Sequence, residues 1–163
     1  MVGETGRPGM TIVFSPLDTA TVRALQAGGA DAYGHAPERR VSDGDGIPCR
    51  HCLDFVPAGE GYLVLAHRPF TGLHPYAETG PVFLCAKECA AGGGVELPAF
   101  LDSPGYILRG YGADERIVYG TGGVIATPRI AERAEELLAR KDVAFVHVRS
   151  ASNNCFHCRV DRV

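Results

Sequence analysis

The sequence predicts an α+β fold with one mixed, mostly antiparallel sheet, two helices and a long glycine-rich loop. Three observations lead there: short β-rich runs recur along the chain, only two segments carry helix signals, and one pair of runs is joined by a hairpin-sized connection. No internal repeat is visible. Residues 1–10, with Gly3, Gly6, Pro8 and Gly9 among polar side chains, read as a flexible amino terminus, and 11–163 as a single globular domain.

Thr11–Phe14 is a short β-rich run, and Thr19 can cap a helix to Ala27 that presents Val22 and Leu25 before the stop at Gly28 and Gly29. From Gly29 to Pro48 the chain is loop, rich in Gly, Asp and Pro, with Arg39–Val41 as a short strand within it. Tyr62–Arg68 alternates around Leu63 and Leu65, and Pro81–Leu84 follows Gly80 as a second buried strand. Ala90–Pro104, with Gly92, Gly93 and Gly94, is again loop, with one helical turn near Ala99. Tyr106–Tyr111 and Arg116–Tyr119 form the expected hairpin across Gly112–Glu115. Thr127-Pro128 opens the second helix, which runs to about Arg140 with Ile130, Ala134, Leu137 and Leu138 on one face and an expected Glu136–Arg140 pair on the other. Val143–Val148 and Phe156–Val160 complete the strands, the latter after an Asn153-Asn154 turn.

The chain is 45% hydrophobic and 21% charged, which is globular usage. A formal net charge of -3 supplies no basic surface for a polyanion, so a nucleic-acid partner is not expected. No stretch reaches the ~18 apolar residues that span a bilayer, and no export signal opens the chain, so no membrane partner and a cytoplasmic location are expected.

All six cysteines fall in close pairs: Cys49/Cys52, Cys85/Cys89 and Cys155/Cys158. In a reducing compartment such pairs signal metal or redox chemistry. Two cysteines separated by two residues in a tight turn aim both sulfurs at one point, and Pro48 and the Asn153-Asn154 step supply turn formers for two such knuckles. Cys49, Cys52, Cys155 and Cys158 are therefore the expected ligands of one structural zinc ion, although most of the chain separates the two halves. Cys85/Cys89, at the allowed three-residue spacing, forms a candidate second metal or thiol site. Packed reduced thiols, an intersegment disulfide, and a thiolate enzyme or redox protein using Cys49 or Cys155 remain open alternatives.

The strings IPCRHCLDFVPAGEGYLVLAHRPF, PYAETGPVFL, RGYGADERIVYGTG and FVHVRSASNNCFHCRVDR resemble, in the same order, the bacterial family catalogued as domain of unknown function 1203. The resemblance covers the chain from about Val41 onward and carries over no established activity. It implies that Cys49 and Cys155 are the more general cysteines, and leaves open that they resemble an older disulfide or reactive couple to which this branch added the metal. It also implies that a histidine, a related metal ligand, stands at the position of Cys85 in some relatives, which adds some weight to a metal near Cys85 or Cys89.

His67, Arg68, His74 and Tyr76, with Glu78, are a candidate pocket of acid–base groups at a strand end. Read singly, they are solvated loop residues or hydrogen-bonded core histidines, and His147 is structural. Gly120-Thr121-Gly122-Gly123 lacks the lysine of a phosphate loop and reads as a turn. The sequence thus predicts a zinc-stabilised domain binding an unidentified small molecule or protein, and leaves open whether it is an enzyme and how it oligomerises.

Overall fold

The computed structural model describes residues 11–163; the segment 1–10, expected to be flexible, lies outside the described residues. The elements run β1 (Ile12–Ser15), α1 (Thr19–Gln26), β2 (Glu38–Val41), β3 (Gly61–His67), β4 (Gly80–Cys85), β5 (Gly105–Tyr111), β6 (Gly123–Ala126), a 3-10 turn (Thr127–Arg129), α2 (Ile130–Leu138), β7 (Phe145–Ser150) and β8 (Phe156–Arg162). The α+β class is as expected, but the strands divide between two sheets. One has five strands in the order β1-β8-β7-β5-β6 and the other three in the order β2-β3-β4, and every ladder is antiparallel.

Each sheet has its own core. The period that predicted the second helix places Ile130, Ala134, Leu137 and Leu138 on the larger sheet, against Phe14, Leu108, Val146, Val148, Cys158 and Val160. Each of the three larger helix side chains contributes ~1.5–3 kcal/mol relative to exposure. The smaller sheet packs Leu63, Leu65, Val82 and Leu84 against Val22 and Leu25 of α1, with Cys49, Cys85 and Phe156 in the same cluster. Among the described residues no helix is long and apolar enough to cross a membrane.

Three local expectations change. Asp18, not Thr19, caps α1: its carboxylate accepts from the Thr21 N–H at 3.0 Å, which frees the Thr19 hydroxyl for another partner. The segment Arg116–Tyr119 forms only an isolated bridge, Ile117 to Tyr111, because the chain turns at Glu115 (φ 65°) and Gly120 (φ 92°). The Thr121 hydroxyl then accepts from the Gly110 N–H at 2.9 Å, and the true hairpin partner of β5 is β6, which begins inside the glycine run read as a turn. Finally, α2 ends before Arg140, so Glu136 pairs with Arg133 and Arg140 with Asp142.

Candidate metal centre

Cys49-Arg50-His51-Cys52 makes a tight turn whose backbone folds around one sulfur. The Leu53 N–H closes it by donating to the Cys49 carbonyl at 3.0 Å, with Leu53 in the left-handed region at φ 57°. The N–H groups of His51 and Cys85 both donate to Cys49 Sγ, at 3.4 and 3.3 Å. A thiolate there is stabilised by converging donors before any cation is considered. The loop 92–94 lies against this turn. The Gly92 N–H donates to the His51 carbonyl, and a Cβ at Gly92 would fall 2.0 Å from the Cys52 carbonyl oxygen, so only glycine fits.

The second half comes from the end of β4. Cys85 ends that strand, opposite Tyr62 of β3, and the following loop returns Cys89 to the same point. Helix α1 holds that loop in place: Gln26 Nε2 donates to the carbonyls of Cys85 and Lys87, and Arg23 donates to the carbonyl of Cys89. The sulfurs of Cys49, Cys52, Cys85 and Cys89 consequently lie within 4.8 Å of one another. The Cys49–Cys89 and Cys52–Cys85 separations are both 3.9 Å. A tetrahedron with metal–sulfur bonds of ~2.3 Å has edges of ~3.8 Å, so the four donors fit a tetrahedral thiolate site.

The electrostatics agree. Hydrogen bonds from Cys52 and Cys85, in that order, hold the Cys49 thiol well below its ordinary range, whereas Cys52 and Cys85 are pushed up chiefly by their contact with Cys49. Burial first, and then the charges at Cys49 and Cys52, push Cys89 up to about 12. One thiolate is easy to form here and four are not without a cation among them. His51, wholly buried, supports the site from outside: its Nδ1 lies 3.2 Å from Cys89 Sγ and its Nε2 2.9 Å from the freed Thr19 hydroxyl. With Thr19 donating to Nε2, the ring N–H faces the sulfur, as an outer-shell donor should.

This quartet corrects the ligand set expected from the sequence, since Cys155 and Cys158 are not in it. Cys158 shares with Val160 the face of β8 turned to α2, in the other core, where burial pushes its thiol up to about 12. Cys155 sits in the turn before β8, half-buried, with Sγ 3.9 Å from the Asn153 carbonyl. The Cys49 loop is instead tied to the carboxyl-terminal strand by Arg50. That buried side chain donates from Nε to the Phe156 carbonyl at 2.8 Å and from Nη1 to the Pro48 carbonyl at 2.7 Å, and lies over the Phe83 ring. Burial lowers its pKa to about 10, so it stays charged at neutral pH. All six cysteines are free thiols, with no disulfide joining Cys49 to Cys155.

The candidate pocket residues separate. His67 and Arg68 border clefts at the end of β3. His74 lies 3.5 Å from the Glu115 carboxylate, and the Tyr76 hydroxyl meets that of Tyr119 at 2.9 Å on the surface. Three contributors escaped sequence reasoning: Thr19, His51 as an outer-shell donor, and Arg149 behind His67. The close spacing of Cys85 and Cys89 at a strand end was the signal for the second half of the centre.

A family profile described as Protein of unknown function (DUF1203) matches residues 46–162, which include all four cysteines, so the chain belongs to that family. No curated protein and no solved structure matches the chain.

Proposed function

We propose that this DUF1203 protein is a small ligand- or partner-binding domain in which Cys49, Cys52, Cys85 and Cys89 hold one structural zinc ion. The convergence of four sulfurs at tetrahedral spacing carries this reading. Four thiolates complete the coordination of zinc and leave no position for a catalytic water, which makes the role one of holding the β4 end, α1 and the Cys49 turn together. Free thiols throughout suit a reducing compartment such as the cytoplasm. Against use of Cys49 as an exposed redox or catalytic nucleophile stands its complete burial.

Elemental analysis of protein purified under reducing conditions tests the proposal. About one zinc per chain is expected, falling to near zero in Cys85→Ser and Cys89→Ser. Metal-free wild-type protein with all six thiols titratable in the native state would sink it.

A further inference from the structure

Between the two sheets, where β3 ends and the β7–β8 turn begins, lies a cleft of about 200 Å³ lined by His67, Glu78, Arg149, Cys155 and Phe156, with Pro81 among its apolar walls. Arg149 is 3% exposed. Its two terminal nitrogens are engaged: one donates to the Asn154 carbonyl at 3.3 Å, and the other meets His147 Nδ1 at 3.1 Å and Glu78 Oε1 at 3.3 Å. Its Nε–H is buried and has no partner among the described residues. A native interior rarely leaves such a donor unpaired, and the cost is ~1–3 kcal/mol, more for a charged group.

The charge balance points the same way. Among the described residues the one carboxylate at Arg149, Glu78 Oε1, is shared with Arg109, whose Nη2 lies 2.9 Å away, so two guanidiniums divide a single negative charge. The histidines add nothing negative. His147 is buried and neutral, and His67 is held down to about 4, by burial first and then by Arg50, Arg68 and Arg149. A cleft with a surplus buried positive charge, proline and phenylalanine walls and an arginine whose hydrogen-bonding capacity is incompletely used suits an anion with a short apolar body.

We propose that this cleft binds a small monocarboxylic acid, its carboxylate on Arg149 and its carbon chain against Pro81 and Phe156. This deepens the ligand-binding half of the proposed function and does not depend on the metal. At this volume the occupant has only a few carbon atoms, below the ~300–1,000 Å³ of pockets for drug-sized molecules.

The test is NMR titration of zinc-loaded protein with acetate, propionate and butyrate, using inorganic phosphate and chloride at matched ionic strength as comparators. Shift changes are expected at residues 78–82 and 153–156, with affinity rising by up to about fourfold per added methylene that is fully buried. Arg149→Lys should weaken binding at least tenfold, since the ammonium lacks the planar fork. Because replacing a buried arginine also perturbs folding, Glu78→Gln is the decisive partner. Removing the competing carboxylate from a half-exposed side chain should tighten carboxylate binding, by roughly tenfold, an effect that misfolding does not produce. Phosphate shifting the same residues while no carboxylate does, or no response in either wild type or Glu78→Gln, overturns the proposal. Either result leaves the zinc content, and the reading of the metal centre, untouched.

Discussion

The two sheets solve the problem of burial differently. The larger one buries aliphatic side chains from β1, β5, β7 and β8 beneath the continuous stripe of α2. The smaller one has little to work with. All four residues of β2 are exposed, α1 buries only Val22 and Leu25, and cysteines take up part of its core. Natural proteins often staple small cores with metals or disulfides. The four thiols lie where such a staple would act, and Arg50 couples the smaller sheet to β8 of the larger one.

The largest expected effect breaks this comparison in two. Structural zinc sites contribute ~10–16 kcal/mol in isolated peptides, as much as the entire stability of an ordinary domain. Removing the metal with a chelator should therefore abolish amide-exchange protection in β3, β4 and α1, while β5, β7 and α2 stay protected. Hydrogen exchange read by mass spectrometry on the two forms checks this. Uniform loss of protection across both sheets would mean that the cores are one cooperative unit.

A smaller effect sharpens the comparison from the side of the larger sheet. His157 on β8 is packed edge-on against Phe100 and Tyr106, and burial lowers its pKa to about 4. Since the unfolded chain has the ordinary value near 6.5, it binds the extra proton first. The contribution of neutral His157 is complete above about pH 6.5 and is lost as pH falls toward 4, at up to ~1.4 kcal/mol per pH unit. Urea unfolding of wild type and His157→Phe across that window should show the shallower acid slope in the variant. The difference between the two cancels acid loss of the metal, which both proteins share. Parallel slopes would show that His157 takes up its proton without cost.

The pattern of legible and illegible features follows from range. Local signals carried far: the α2 stripe, the Leu63–Leu65 alternation and the turn chemistry of Cys49–Cys52 all depend on neighbours within a few residues. The Arg116–Tyr119 run failed because its β character was overruled at a distance, when Thr121 folded back to take the Gly110 N–H. The metal centre failed in the same way. Spacing identifies a ligand pair, but which pair joins which is decided by strand order. In this fold β4 delivers Cys85 beside the Cys49 turn, while β8 commits Cys158 to the α2 core. Arg50 was invisible as a clasp because a buried arginine is rare, and nothing in a Cys-Arg-His-Cys string foretells it.

The smallest expected effect separates the two pairings of the cysteines. The matching Cys-x-x-Cys spacing favours Cys155 and Cys158 as ligands, and the fold favours Cys85 and Cys89. Cys158 is a small, wholly buried hydrophobe opposite Val148, so Cys158→Ala removes one sulfur's worth of packing and should cost ~1 kcal/mol. Cys155→Ser changes a half-buried turn residue, where substitutions usually stay within ~0.5 kcal/mol. Neither variant should alter the zinc content or the exchange protection of β3 and β4, because neither sulfur reaches the quartet. Loss of zinc in Cys158→Ala, with the α2 core still protected, would return the ligand set to the one the spacing suggested. It would also mean that β8 leaves the larger sheet far enough to carry its cysteine past Phe156.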